Sequence, residues 1–110
     1  MPQRKDRFSE PSLDHALMES VEGVLSKFLG ENTAKIILHH AQRDSSEAGE
    51  ISKRAEAFSG TLRRMVGPGS IFIEKAILRG LYSTLGLEFE EKERYGFSDY
   101  LNQLKRKSRP

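Results

Sequence analysis

The sequence predicts an all-α protein: a compact bundle of about five helices, built from two helical hairpins with one short extended connection. Apolar residues recur at spacings of three and four through five separate windows of the 110 residues, the period of a helix with one buried face. Glycine follows three of those windows, at Gly30, at Gly67-Pro68-Gly69 and at Gly86, where a chain leaving a helix takes left-handed or otherwise non-helical angles. Leu87-Glu88-Phe89-Glu90 alternates apolar and charged residues, which suits an extended segment laid on a core. It has no second convincing strand to pair with, so no sheet is expected.

Taken in order, residues 1–11 are polar, hold two prolines and lack periodicity, and are read as an N-terminal arm. Ser12 is the expected cap of a first helix running to about Phe28, with Leu17, Val21, Val24, Leu25 and Phe28 on one inward stripe. After Gly30, Asn32 or Thr33 caps a second helix to about Arg43, burying Ala34, Ile37, Leu38 and Ala41. Residues 44–50 carry no apolar period and read as the longest internal loop.

A third helix, from about Ser52 to Val66, turns Ala55, Phe58, Leu62, Met65 and Val66 inward. Pro68 and its flanking glycines stop it. The fourth, from about Ser70 to Leu85, has so broad an apolar arc (Ile73, Ala76, Ile77, Leu78, Leu81, Leu85) that it should be the central element. Ser98 caps a last helix with Leu101 and Leu104 inward and Phe97 as anchor. The helical domain is therefore expected over residues 12–104, with a basic tail at 105–110. Leu25, Phe28, Leu29 and Gly30 match Leu62, Met65, Val66 and Gly67 at a constant offset, an internal echo that suits two packed hairpins.

One domain accommodates this length. Glu74, Lys75 and Arg79 interrupt the most hydrophobic segment, so no run approaches the roughly 18 apolar residues that cross a bilayer. Residues 1–8 are charged and lack the apolar region of a secretory signal. A cytoplasmic location without membrane contact is expected. The chain has no cysteine, which removes disulfides, thiolate zinc sites and cysteine nucleophiles together.

The net charge is +2, from 18 basic and 16 acidic side chains. Lys105, Arg106, Lys107 and Arg109 account for the excess, because taking those four away leaves 14 basic against 16 acidic, a net of −2. The tail is either a solvated block or an arm for phosphates. The Gly30 hairpin is the better outline of a DNA-reading unit, with Ser26 at the small position and Lys35, His39, Gln42 and Arg43 on its second helix. Ordinary helical hairpins share that outline. The Gly67 turn lacks the lysine and the preceding strand of a phosphate loop and reads as a helix break. His39 and His40 point about 100° apart and cannot readily share a metal ion, so neither a metal nor a cofactor is expected.

Two features of the fourth helix stand apart. Ala76, Gly80 and Thr84 place small side chains four apart, and an interior glycine costs about 1 kcal/mol against alanine unless close approach compensates. The approaching element is either another helix of the chain or a second copy. Glu74 falls on the apolar arc with Leu78, Leu81 and Leu85. It is either buried with Lys35, Arg63 or Arg64 as partner or close enough to the helix start to reach water.

Leu29-Gly30-Glu31, Ala57-Phe58-Ser59 leading into Leu62-Arg63-Arg64, the Gly-x-Gly turn, Ile73-Glu74-Lys75, Leu81-Tyr82 through Leu85-Gly86-Leu87-Glu88-Phe89 and Phe97-Ser98-Asp99-Tyr100 together resemble the archaeal Nitrosopumilus output domain family, type five. The resemblance covers about Ser12 to Lys105. It implies a small helical output module of two-component signalling, with no enzyme activity, cofactor or established binding residues to carry over. The expected function is a non-enzymatic signalling or protein-interaction domain, with a protein partner or a second copy as its contact. Nucleic-acid binding through the tail and the Gly30 hairpin is the competing expectation. No small-molecule ligand is defined by the sequence.

Overall fold

The computed structural model describes residues 10–45 and 51–107, which form five helices and, among the described residues, no strand. They are α1 (Glu10–Leu29), α2 (Glu31–Ser45), α3 (Ile51–Val66), α4 (Ser70–Thr84) and α5 (Phe97–Lys107). The all-α bundle expected from the periodicity is the fold observed. Residues 1–9, 46–50 and 108–110 lie outside the described residues, and with them most of the arm, most of the 44–50 loop and Arg109.

The helix boundaries correct four expectations. α1 starts at Glu10, so Pro11 and Ser12 belong to its first turn and Ser12 is not the cap. Proline is tolerated there because an amide in a first turn has no helical acceptor in any case. α2 starts at Glu31 directly after Gly30, which places Asn32 and Thr33 inside the helix, and it runs two residues past Arg43 to Ser45. α5 starts at Phe97, not after Ser98. Its cap is Gly96, whose amide donates to the Asp99 carboxylate at 2.7 Å while the Asp99 amide donates to the Gly96 carbonyl at 3.0 Å. That reciprocal pair satisfies two otherwise orphan groups. The Ser98 hydroxyl donates instead to Glu56 at 3.3 Å. Finally, α5 continues through Lys107, so the first half of the expected tail is helix.

Three glycines adopt positive φ where the helices end: Gly30 at 90°, Gly67 at 89° and Gly86 at 77°. Gly30 does two jobs within one residue. Its amide donates to Ser26 at 3.0 Å, closing α1, and its carbonyl accepts from Ala34 at 3.0 Å, opening α2. At Gly86 the amide bonds the Ser83 carbonyl at 3.0 Å and the next amide, of Leu87, bonds the Tyr82 carbonyl at 2.8 Å, the two bonds of a Schellman motif.

α1 packs on α2 and α4, and α3 packs on α2, α4 and α5. Exchanging the hairpin α1–α2 with α3–α4 turns the α1–α4 contact into the α3–α2 contact, so the echo in sequence has a counterpart in packing. Leu25, Leu62, Ile77, Leu81, Leu101 and Leu104 are completely buried at the centre. An Asp14–Arg54 ion pair at 3.1 Å ties the first half of α1 to the first half of α3. The joints at Gly30 and Gly67, which follow the last turns of those helices, therefore share the other end of the bundle.

The two ends differ in how they are closed. At the end away from the joints, Phe97, Tyr100, Leu101 and Leu104 of α5 are buried against the bundle, with Phe97 5.8 Å from the Phe58 ring. At the joint end, Phe28 is 52% exposed, Met65 44%, Ile71 50% and Phe72 69%. Phe28 and Met65 stand on the inward stripes of their helices and were expected in the core. They lie one turn beyond Leu25 and Leu62, and since the next residues, Leu29 and Val66, still pack partly against the core, it is one side of each last turn that is left uncovered.

Candidate functional site

The joint end borders a cleft of about 490 Å³ between α3, α4 and the 91–100 segment. Ser59 and Arg63 line one wall, Ile71, Glu74, Lys75 and Leu78 the second, and Tyr95, Phe97 and Tyr100 the third. Glu74 is 7% exposed, and its carboxylate accepts a short hydrogen bond from the Ser59 hydroxyl. Burial pushes its pKa upward from the ordinary 4.5, and the Ser59 hydrogen bond and the Arg63 charge pull back against that rise. The buried alternative for Glu74 is thus the observed one. Its hydrogen-bonding partner is a hydroxyl from α3, with Arg63 acting through its charge. Lys35 is exposed on α2, and the Arg64 guanidinium donates to Thr61 at 3.3 Å.

The outer lip of the cleft is ionic. Glu91 meets Lys75 at 2.9 Å and Arg79 at 3.4 Å. The Lys75 contact, followed by Arg79, lowers the pKa of the Glu91 carboxyl. Pairs this open to water contribute little to stability, so their effect is to hold the connection beside α4.

Sequence reasoning missed the aromatic cluster behind that lip. Rings of Tyr82, Phe89, Tyr100 and Tyr95 follow one another at centroid distances of 5.3, 4.9 and 5.0 Å. The Tyr82 hydroxyl donates to the Tyr100 carbonyl at 3.0 Å, and the Lys92 amide donates to the Tyr100 hydroxyl at 2.8 Å. Burial, helped by the neighbouring Tyr100 and Tyr95, pushes the Tyr82 phenol up to about 12. Three tyrosines within twenty residues were the available signal. A second recess of about 210 Å³, lined by α1, α2, α3 and Phe97, was also unforeseen. Arg54 borders it, paired through Nη1 with Asp14 while its Nε is buried without a hydrogen-bond acceptor among the described residues.

The small-residue face of α4 meets α1. A Cβ built on Gly80 would stand 2.8 Å from the Ser20 hydroxyl, and that hydroxyl donates to the Ile77 carbonyl at 2.6 Å. Of the two alternatives for the element that approaches Gly80, the observed one is a helix of the same chain, while Ala76 is half-buried and Thr84 is exposed.

The basic candidates separate into two places. Lys35, His39 and Arg43 are all exposed at intervals of four on the outer face of α2. Lys105 is half-buried and Arg106 exposed in the last turn of α5, where Arg106 borders a recess with Tyr82, Leu87, Glu88 and Glu90. The side chain of Lys107 lies outside the described residues, as does Arg109. The structure does not bring Arg106 to the α2 face, and it sets acidic side chains beside Arg106. His39 and His40 stand edge to face at 6.0 Å, and among the described residues no group of three or more histidine, aspartate or glutamate side chains could hold a metal ion. No helix of the described residues is long and apolar enough to cross a membrane.

No protein-family model matches the chain, and neither a curated protein nor a solved structure does.

Proposed function

We propose that this chain is a non-enzymatic regulatory domain that acts by binding another protein, an output module of the kind its resemblance implies. The observation that supports the reading is the joint end, where Phe28, Met65, Ile71 and Phe72 expose apolar side chains at one end of an otherwise well-packed bundle. A soluble domain keeps such a concentration of large apolar side chains in water when the surface serves recognition. A photo-crosslinking amino acid placed at position 72 in the native host should yield a protein adduct, and the same probe at the exposed position 22 should not. Equal yields at the two positions, or none at either, would overturn the reading.

A second reading has its own support. Lys35, His39 and Arg43 present a continuous basic strip on α2, as a nucleic-acid-reading helix would. Binding to mixed DNA and RNA should then weaken steeply with salt, and the double variant Lys35→Ala, Arg43→Ala should lower the log–log slope by about 2. An absence of binding at low salt would end this reading.

A further inference from the structure

The surface at the joint end has a definite charge. Residues 26–36 and 63–73 build that end, and they contain the basic Lys27, Lys35, Arg63 and Arg64 against the single acidic Glu31. All five are exposed. Each basic position adjoins an exposed apolar one along the chain, Lys27 beside Phe28, Lys35 beside Ile36, and Arg63 with Arg64 beside Met65. The cleft that Arg63 and Ile71 share with the 91–100 segment adds Lys75 and Lys92 against Glu91 and Glu93, so the end keeps an excess of basic side chains. An apolar surface with an excess of one sign of charge selects a partner that sets apolar residues beside the opposite sign.

The chain itself shows what form a cover takes. At the other end α5 lays Phe97, Leu101 and Leu104, spaced by four and three, across α3 and α4 and buries all three. Among the described residues no element does the same for Phe28, Met65, Ile71 and Phe72, and no strand offers an edge to which an extended peptide could add. Recognition by an amphipathic helix remains. Resting on the interaction reading above, we infer that the Gly30–Gly67 end docks a short amphipathic helix of a partner protein, one that carries acidic residues beside an apolar stripe like that of α5.

A second copy of the chain suits the site less. Two-fold pairing through this end would set Lys27, Lys35, Arg63 and Arg64 against themselves. The α5 helix of a second copy has its stripe buried and ends in Lys105-Arg106-Lys107. Residues 88–93 are acidic, but the neighbouring Leu87, Phe89 and Tyr95 pack on their own core, so that segment offers charge without a stripe. A flat anionic lipid surface also fits poorly. Ile36 lies six residues down α2 from Gly30, about 9 Å, so a plane resting on the tip would leave it uncovered.

The test uses the full chain and two labelled synthetic helices of about 18 residues with the same leucine stripe, one with a glutamate polar face and one with a lysine face. Vesicles of phosphatidylglycerol and phosphatidylcholine and sedimentation of the protein alone run beside them. The glutamate helix should bind roughly tenfold tighter than the lysine helix, and Phe28→Ser with Phe72→Ser should weaken it at least about tenfold. Far-ultraviolet dichroism of that variant should match the parent. Lys35→Glu with Arg63→Glu should reverse the preference between the two helices. Equal affinity for both helices, no binding of either, preference for vesicles over the glutamate helix, or self-association abolished by the same serine variants would each overturn the inference. If the helices fail while the crosslink at position 72 still captures a protein, the interaction reading stands and only the acidic partner is wrong.

Discussion

At the α5 end of the bundle each apolar residue on the stripe is covered, whereas at the Gly30–Gly67 end the same stripes run out into water. Val21, Leu25 and Phe28 on α1 repeat the spacing of Phe58, Leu62 and Met65 on α3, and in both triplets the first two are buried and the third is exposed. Helical period sets the direction in which a side chain points. Burial also requires an opposing element against that side of the helix; at the joint end Leu29 and Val66 partly find one, and Phe28 and Met65 do not. The contrast teaches that an inward position in sequence and a buried position in the fold are separate properties, and the gap between them marks the surface available for recognition.

The sharpest way to break this comparison is to cut the covering helix. Leu104→Ala should cost about 2–5 kcal/mol of unfolding free energy, read by urea denaturation, and Leu101→Ala a similar amount. Should either prove as mild as a substitution at Phe28, the covered end is not closed by α5 packing. The joints come next. Gly30→Ala and Gly67→Ala place a Cβ at φ near 90°, and each should cost about 1–2 kcal/mol. Similar losses at the two would sharpen the equivalence of the hairpins.

Glu74 gives a pH test on the flank between the two ends. Its pKa is raised by burial, so the native state holds this proton more tightly than the unfolded chain does. Stability should therefore fall as pH rises from the ordinary carboxylate range through the raised native value. Glu74→Gln should remove that part of the pH slope and match or exceed the parent above the window, as followed by thermal unfolding across pH. An unchanged slope would show that the carboxyl is solvated. The smallest effect belongs to the open end: Phe28→Ser should cost about 1 kcal/mol or less, since half the ring is already in water.

Much of the architecture was legible because it depends on local chemistry. The five apolar periods, the glycine stops and the position of Glu74 on an apolar arc are all properties of short windows. What stayed hidden depends on partners distant in sequence. Ser59 could not be chosen over Lys35, Arg63 or Arg64 as the contact of Glu74 without the α3–α4 geometry, and Gly80 could not be assigned to Ser20 rather than to another chain. Pro11 misled because proline stops a helix in its interior and is tolerated in its first turn. Ser98 was expected as the cap of α5 because a serine before an apolar period is a common cap; that Asp99 instead reaches back to Gly96 depends on the backbone path into the helix. Phe28 and Met65 were placed inside because period gives a direction and does not say whether another element covers it, as the partly buried Leu29 and Val66 beside them show.

Gly30 has a mechanical consequence beyond ending one helix and starting another. With a single residue between them, α1 and α2 have no slack, so a rotation of one about its axis is geared directly to the other. One alanine inserted after Gly30 would turn α2 by about 100° and swing the Ile37–Ala41 stripe off the core, an effect out of proportion to so small an addition.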